Sequence, residues 1–338
     1  MSCNLRYPAS TAASLEATAA IGPLQGILCA ALVMLIWAGY PVVTRMSVAQ
    51  TLSPEDLFAL RFGISALVFL PYLAWRAGAL PGDAWLKGIG LALCQGTLAA
   101  LVIAGLELAP ARHASALVQG VLPAWVLIAG AVFLGRRFQR SGARGVALIA
   151  AGVAMFVAGS GAAFDREMLR GDLMFLLASL LACGYFLQTR RFRLPPAAAA
   201  AFVAVYSAVG FLPWYVLSAE APFARVPAAE LMVQVLYQGV LVGCVSFVAL
   251  NRAIIALGST RTSAFISAVP VLTALIAIPV LGEHPPLADC AALALITVGV
   301  GFAAHASQAS LSLPPAGEGG GATTQIGPVR EDARPSRA

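Results

Sequence analysis

Few side chains in this chain are equipped for chemistry, and most of those lie in or beside long apolar runs. Arg61 sits about two turns inside one such run. A charge there is costly and points to a function. Glu107, near the end of the next run, is a candidate partner, so Arg61 reads either as a contact for a substrate carboxylate or as half of an ion pair. The plainer reading is that Arg61 reaches back to the interface while Glu107 touches water. His113, next to Arg112, and Glu283-His284 carry groups whose protonation suits proton coupling, although an interfacial histidine is the commoner case.

Pro123 and Pro270 fall near the middle of apolar runs. Each removes the hydrogen bond from its own nitrogen, which points to free carbonyls at Gln119 and Ile266 and to a pair of kinks serving as hinges or polar contacts. Trp37, Tyr40, Gln95, Gln119, Tyr185, Gln188, Tyr237 and Gln238, with Trp125, Gln234 and Asn251, supply aromatic faces and amides. A cavity of that kind suits a small polar or zwitterionic ligand. Aromatics at span ends also serve as interface anchors, and amides also join helices. Nothing resembles a catalytic constellation: there is no His-Glu-x-x-His helix and no pair of carboxylates within a run, and the cysteines show neither metal nor disulfide spacing. An intramembrane enzyme is therefore disfavoured, and no cofactor is expected.

The elements that must position these groups follow from composition. The chain is 60% apolar and 11% charged with a mean hydropathy of +0.86, far from a soluble domain, where about a quarter of residues are charged. It reads as an all-α integral membrane protein, because only helices or closed barrels satisfy backbone groups in lipid and runs of roughly 20 apolar residues select helices. Ten spans are expected, at 24–44, 55–75, 85–108, 113–134, 143–160, 171–189, 197–218, 229–250, 261–281 and 287–306. Ser53-Pro54-Glu55-Asp56 is a strong helix start.

The two halves are copies. Shifting Arg112–Phe156 by 147 positions lays Pro123 on Pro270, Leu134-Gly135 on Leu281-Gly282 and Gly152-Val153 on Gly299-Val300. Gly39-Tyr40 likewise returns as Gly184-Tyr185, and Phe69-Leu70-Pro71 as Phe211-Leu212-Pro213. The expected order is an N-terminal tail over 1–20, a first repeat over 21–160, a second over 168–306 and a disordered tail over 307–338. Basic residues crowd alternate loops, notably Arg136, Arg137, Arg140 and Arg144, then Arg190, Arg191 and Arg193, which places both termini in the cytoplasm. This topology explains the net charge of +6 better than nucleic-acid binding does. Five spans per copy invert the second copy, giving ten transmembrane helices as two inverted five-helix repeats. Such repeats are typical of secondary transporters, whose sites lie near the midplane between the halves.

Trp37-Ala38-Gly39-Tyr40 closing the first span, Arg61-Phe62 in the second, Pro123 before Leu134-Gly135 in the fourth and Pro270 before Leu281-Gly282-Glu283 in the ninth together resemble the EamA-type permeases of the drug/metabolite transporter superfamily. The resemblance covers roughly 24–305 and implies a bacterial inner-membrane carrier that exports amino acids or similar small metabolites. It also implies a cavity surrounded by the first four helices of each half, with the fifth and tenth at the periphery. One departure stands out: Leu-Gly-Glu is kept at Glu283, but the first half has Leu134-Gly135-Arg136. The expected partners are a small-molecule substrate and the lipid bilayer, with a homodimer left open. A nucleotide-sugar or sugar-phosphate-type exchanger and a non-transporting scaffold or receptor are the alternatives.

Overall fold

Proline, glycine and short polar stretches divide the apolar runs into helices joined by brief loops. The computed structural model describes residues 22–48, 51–134, 140–158, 166–218, 223, 226–282 and 285–309. The first repeat contains α1 (Pro23–Val48), α2 (Pro54–Arg76), α3 (Ala84–Leu108), α4 (Ala111–Ser115, Ala116–Gly120 and Leu122–Leu134 in succession) and α5 (Arg140–Ala158). The second contains α6 (Arg166–Phe192), α7 (Pro196–Ser218), α8 (Ala228–Gln234, Val235–Ser246 and Phe247–Leu257), α9 (Ser259–Ile266 and Val269–Leu281) and α10 (Leu287–Ala309). Among the described residues no strand occurs.

Eight of these helices are long and apolar enough to cross a membrane. The other two are α5, which opens on Arg140 and Arg144, and α10, whose apolar stretch Leu287–Ala303 is shorter. Large apolar side chains stand exposed around the perimeter, among them Leu67, Trp75, Phe133 and Leu217. In water such a surface would aggregate, but against hydrocarbon it is the surface required. The expected tails, and the Glu283-His284 pair, lie outside the described residues except that α10 continues through Ala309.

The start of α2 follows from its sequence. Ser53 Oγ accepts from the Asp56 amide at 3.1 Å while Asp56 Oδ2 accepts from the Ser53 amide at 2.9 Å, a reciprocal cap, with Pro54 at the first helical turn. Asp56 also accepts from the Tyr215 hydroxyl of α7, so the same carboxylate ties the two repeats together.

Both central prolines interrupt their helices. Before Pro123 the chain widens into a π-helical turn over Ala116–Gly120, and before Pro270 it breaks between Ile266 and Val269. The sequence pointed to the Gln119 carbonyl as the one set free. Because the wide turn shifts the register, it is the Val118 carbonyl that accepts from the Ser179 hydroxyl of α6, at 2.8 Å. The two interruptions meet: a Cβ added to Gly120 would come 3.6 Å from Pro270 Cγ.

The principal packing runs between repeats rather than within them. α1 packs on α8 and α9, α2 on α7 and α8, α3 on α6 and α7, and α5 on α10. Exchanging the repeats maps this set onto itself, with α6 on α3 and α4 as the counterpart of α1 on α8 and α9. The α5/α10 pair is the closest approach. A Cβ on Gly145 would lie 2.7 Å from the Gly299 carbonyl, and one on Gly152 would lie 2.8 Å from the Ala292 carbonyl. Small residues permit that approach where no hydrophobic effect drives association.

Candidate functional site

Arg61 lies seven residues into α2, about 10 Å from its start, and is only 2% exposed. Its guanidinium carbon sits 4.8 Å from the Tyr40 ring centre and 5.7 Å from the ring centres of both Phe62 and Phe247. Aromatic faces stabilise a desolvated cation by about 2 kcal/mol, which offsets part of the cost of burial. The pairing with Glu107 anticipated as one reading does not occur: Glu107 is exposed at the end of α3, and no carboxylate among the described residues reaches Arg61. Arg61 Nε and Nη1 and the Tyr40 hydroxyl are buried without a protein partner. These donors, together with the hydroxyl, make a cradle between aromatic walls whose unspent hydrogen-bonding capacity would suit an anionic oxygen.

Several of the other sequence candidates hold helices together. On the α1/α8 seam Trp37 Nε1 donates to Ser246 Oγ at 3.1 Å, the Tyr237 hydroxyl to the Ile36 carbonyl at 2.8 Å and Gln238 Nε2 to Thr44 Oγ1 at 2.7 Å. Gln234 Nε2 reaches the Val43 carbonyl and Ser47 Oγ, both at 2.8 Å. Tyr237 and Gln238 project from a π-helical stretch of α8, Val235–Ser246, and a Cβ on Gly39 would meet the Tyr237 hydroxyl at 2.2 Å. In the second repeat the Tyr185 hydroxyl donates to Asn251 Oδ1 at 2.9 Å, and Gln188 Nε2 contacts Cys94 Sγ at 3.1 Å. Gln95 is buried on α3. Gln119 Oε1 and Trp125 Nε1 are buried without partners beside the α4 interruption.

A second polar centre, which the sequence did not disclose, occupies the end of the bundle where α4, α6 and α10 begin. His113 Nδ1 lies 2.9 Å from Asp172 Oδ1 of α6, and its Nε2 lies 3.6 Å from Asp289 Oδ2 of α10. Arg112 Nε donates to the same Asp289 oxygen at 2.7 Å. His113 and Asp172 are each 1% exposed and Asp289 4%, and the imidazole stands edge-on to Phe156 of α5, centroids 5.0 Å apart. Close by, Arg45 of α1 donates to the Leu106 and Ala109 carbonyls that end α3. His113 was named from the sequence, whereas Asp172 and Asp289 were not.

A model of the EamA-like transporter family matches residues 24–158 and, a second time, residues 169–304. The chain belongs to the EamA-like transporter family. The two matched stretches correspond to the two repeats, so an EamA-like unit occurs twice in one polypeptide. A solved structure titled "Crystal structure of protein" is 23% identical and has a TM-score of 0.61, covering 85% of this chain and 99% of its own. That likeness bears on the fold. No curated protein matches the chain.

Within this EamA-like frame, the residues that carried the resemblance occupy two places. Trp37, Tyr40 and Arg61 gather on α1 and α2 around the buried guanidinium and the α8 seam. Pro123 and Pro270 mark the α4 and α9 interruptions, which touch through Gly120. Asp172 and Asp289 belong to neither motif. Their signal in the sequence was an acid placed just inside an apolar run, the same signal that drew attention to Arg61.

Proposed function

We propose that this EamA-like protein is a secondary carrier that exports amino acids or similar carboxylate-bearing metabolites across the bacterial inner membrane, with all ten helices spanning and both termini in the cytoplasm. The supporting observation is the Arg61 cradle: a buried guanidinium with two unused N–H positions beside an unused Tyr40 hydroxyl, on helices that pack against the other repeat. An unpaired buried charge is expensive, and a bound carboxylate would relieve that cost. The two repeats would rock about a fixed site, with the facing interruptions of α4 and α9 absorbing the bend.

Sugar-phosphate exchange is the weaker reading. A phosphate dianion calls for several cations, and among the described residues Arg61 is the one fully buried arginine or lysine. The test is efflux from proteoliposomes loaded with a labelled panel of amino acids, organic acids and sugar phosphates. Efflux of carboxylates that is lost in Arg61→Met supports the reading. Preference for sugar phosphates, or carboxylate efflux indifferent to Arg61, overturns the assignment, and no movement of any solute favours a scaffold.

A further inference from the structure

The His113 centre lies apart from the Arg61 cradle, and its geometry implies a charge state. A neutral imidazole carries a single N–H, yet both ring nitrogens of His113 face carboxylate oxygens, Asp172 Oδ1 at 2.9 Å and Asp289 Oδ2 at 3.6 Å. With His113 neutral, one nitrogen would turn a lone pair toward a carboxylate, and Arg112, Asp172 and Asp289 together would leave a buried net charge of −1. One added proton gives both nitrogens a hydrogen to present and brings the group to neutrality. Burial penalises the unbalanced form, so the arrangement favours uptake of one proton. Asp172 Oδ2 is buried without a partner, which makes the contact of this carboxylate with His113 the more costly to lose.

Among the described residues, the charged groups on the elements packed around His113 are few. On its own helix there is Arg112, held by Asp289. α6 contributes Asp172, with Arg166, Glu167 and Arg170 exposed at its first turns. α10 contributes Asp289, α5 the uncharged Phe156, α1 the carbonyl-bound Arg45 and α3 the exposed Glu107. The described part of α9 that packs here, Val269–Leu281, has no titratable side chain.

The connectivity gives the site a role. His113 and Arg112 belong to the first repeat, Asp172 and Asp289 to the second, so the proton is held across the seam that must part if this end is to open. We propose that His113, Asp172 and Asp289 form a proton-binding site that locks the outer end of the carrier shut when occupied. The outer placement and the word carrier rest on the function proposed above; proton binding across the repeats does not. Release of the proton to the cytoplasmic side, while the inner end is open, would leave the uncompensated charge, which hydration relieves when the seam opens. External acid would then reclose it after substrate release, coupling inward proton movement to outward substrate movement.

Hydrogen–deuterium exchange of the protein in nanodiscs tests the site without any substrate. Amides at the starts of α4, α6 and α10 are followed at about pH 5.5 and about pH 8, on either side of the imidazole range, with exchange corrected for its intrinsic pH dependence. About tenfold greater protection at the lower pH is expected, and its absence in both His113→Gln and Asp172→Asn. Equal protection at both pH values, or a pH effect that survives in His113→Gln, overturns the proposal. Efflux of the amino-acid panel under a pH gradient separates the two readings. If the exchange effect is present but no solute moves, the proton site stands and the transport function fails; gradient-driven efflux that persists unchanged in His113→Gln refutes coupling through this site.

Discussion

The guanidinium of Arg61 lies 4.8 Å over the ring of Tyr40, and neither the Tyr40 hydroxyl nor two of the guanidinium nitrogens has a protein partner. If these groups are kept for a ligand, Arg61→Met should leave the protein folded and raise the apparent KM for its carboxylate substrate by about 10- to 100-fold, the loss of a charge-assisted bond of about 1.5–3 kcal/mol. Arg61→Lys should restore little of this, since an ammonium cannot reproduce the planar fork. Initial-rate uptake into proteoliposomes, with thermal unfolding in parallel, distinguishes lost binding from lost folding.

Tyr40→Phe removes a hydroxyl that stands beside the Arg61 guanidinium and Thr44 without a well-formed protein hydrogen bond. Thermal stability in detergent should therefore be unchanged or slightly higher, while the KM rises several-fold, as expected for about 1 kcal/mol of hydrogen bonding. A marked fall in melting temperature with unaltered KM would show that the hydroxyl is structural.

Gly39 faces the Tyr237 hydroxyl, which would lie 2.2 Å from a Cβ at that position. Gly39→Ala should destabilise by about 1–3 kcal/mol through overpacking. Adding Tyr237→Phe removes the colliding oxygen, along with its bond to the Ile36 carbonyl. The double variant should thus be more stable than the sum of the single effects, a coupling readable from the four melting temperatures.

Ser179 accounts for the carbonyl of Val118 that the π-helical turn leaves open. Ser179→Ala should cost about 0.5–1.5 kcal/mol, and Ser179→Thr, which retains the hydroxyl, should cost less if the extra methyl fits. Melting curves of the two variants provide the comparison.

Gly145 approaches backbone atoms of α10 rather than the tip of a flexible side chain. Gly145→Val should therefore be more disruptive than Gly39→Ala, because a carbonyl and an amide in a helix cannot swing aside. Exchange of amides along α10 should accelerate in this variant before the rest of the bundle responds.

Much of the helical layout was legible because a bilayer imposes length and apolarity on its helices, and Ser53, Pro54 and Asp56 marked a boundary that the reciprocal cap then occupied. Duplication was legible through Pro123 with Pro270 and Tyr40 with Tyr185. Pairing across the chain was not. Asp172 follows Arg166, Glu167 and Arg170 and reads like the end of a solvated loop, and only the meeting of α4 with α6 and α10 puts it against His113, 59 positions away. Arg61 posed the opposite difficulty. Sequence logic sought a carboxylate for it, whereas the fold supplies aromatic rings from α1 and α8. Nor does a proline by itself announce a π-helical turn, which depends on how Ser179 and the rest of α6 pack against it.

The interleaved packing of α1 to α10 bears on how the molecule is made. Each half presents its principal contact faces to the other half, so a ribosome that has released only α1 to α5 has inserted helices whose intended neighbours do not yet exist. The early half must wait, loosely associated, until the second repeat has been made.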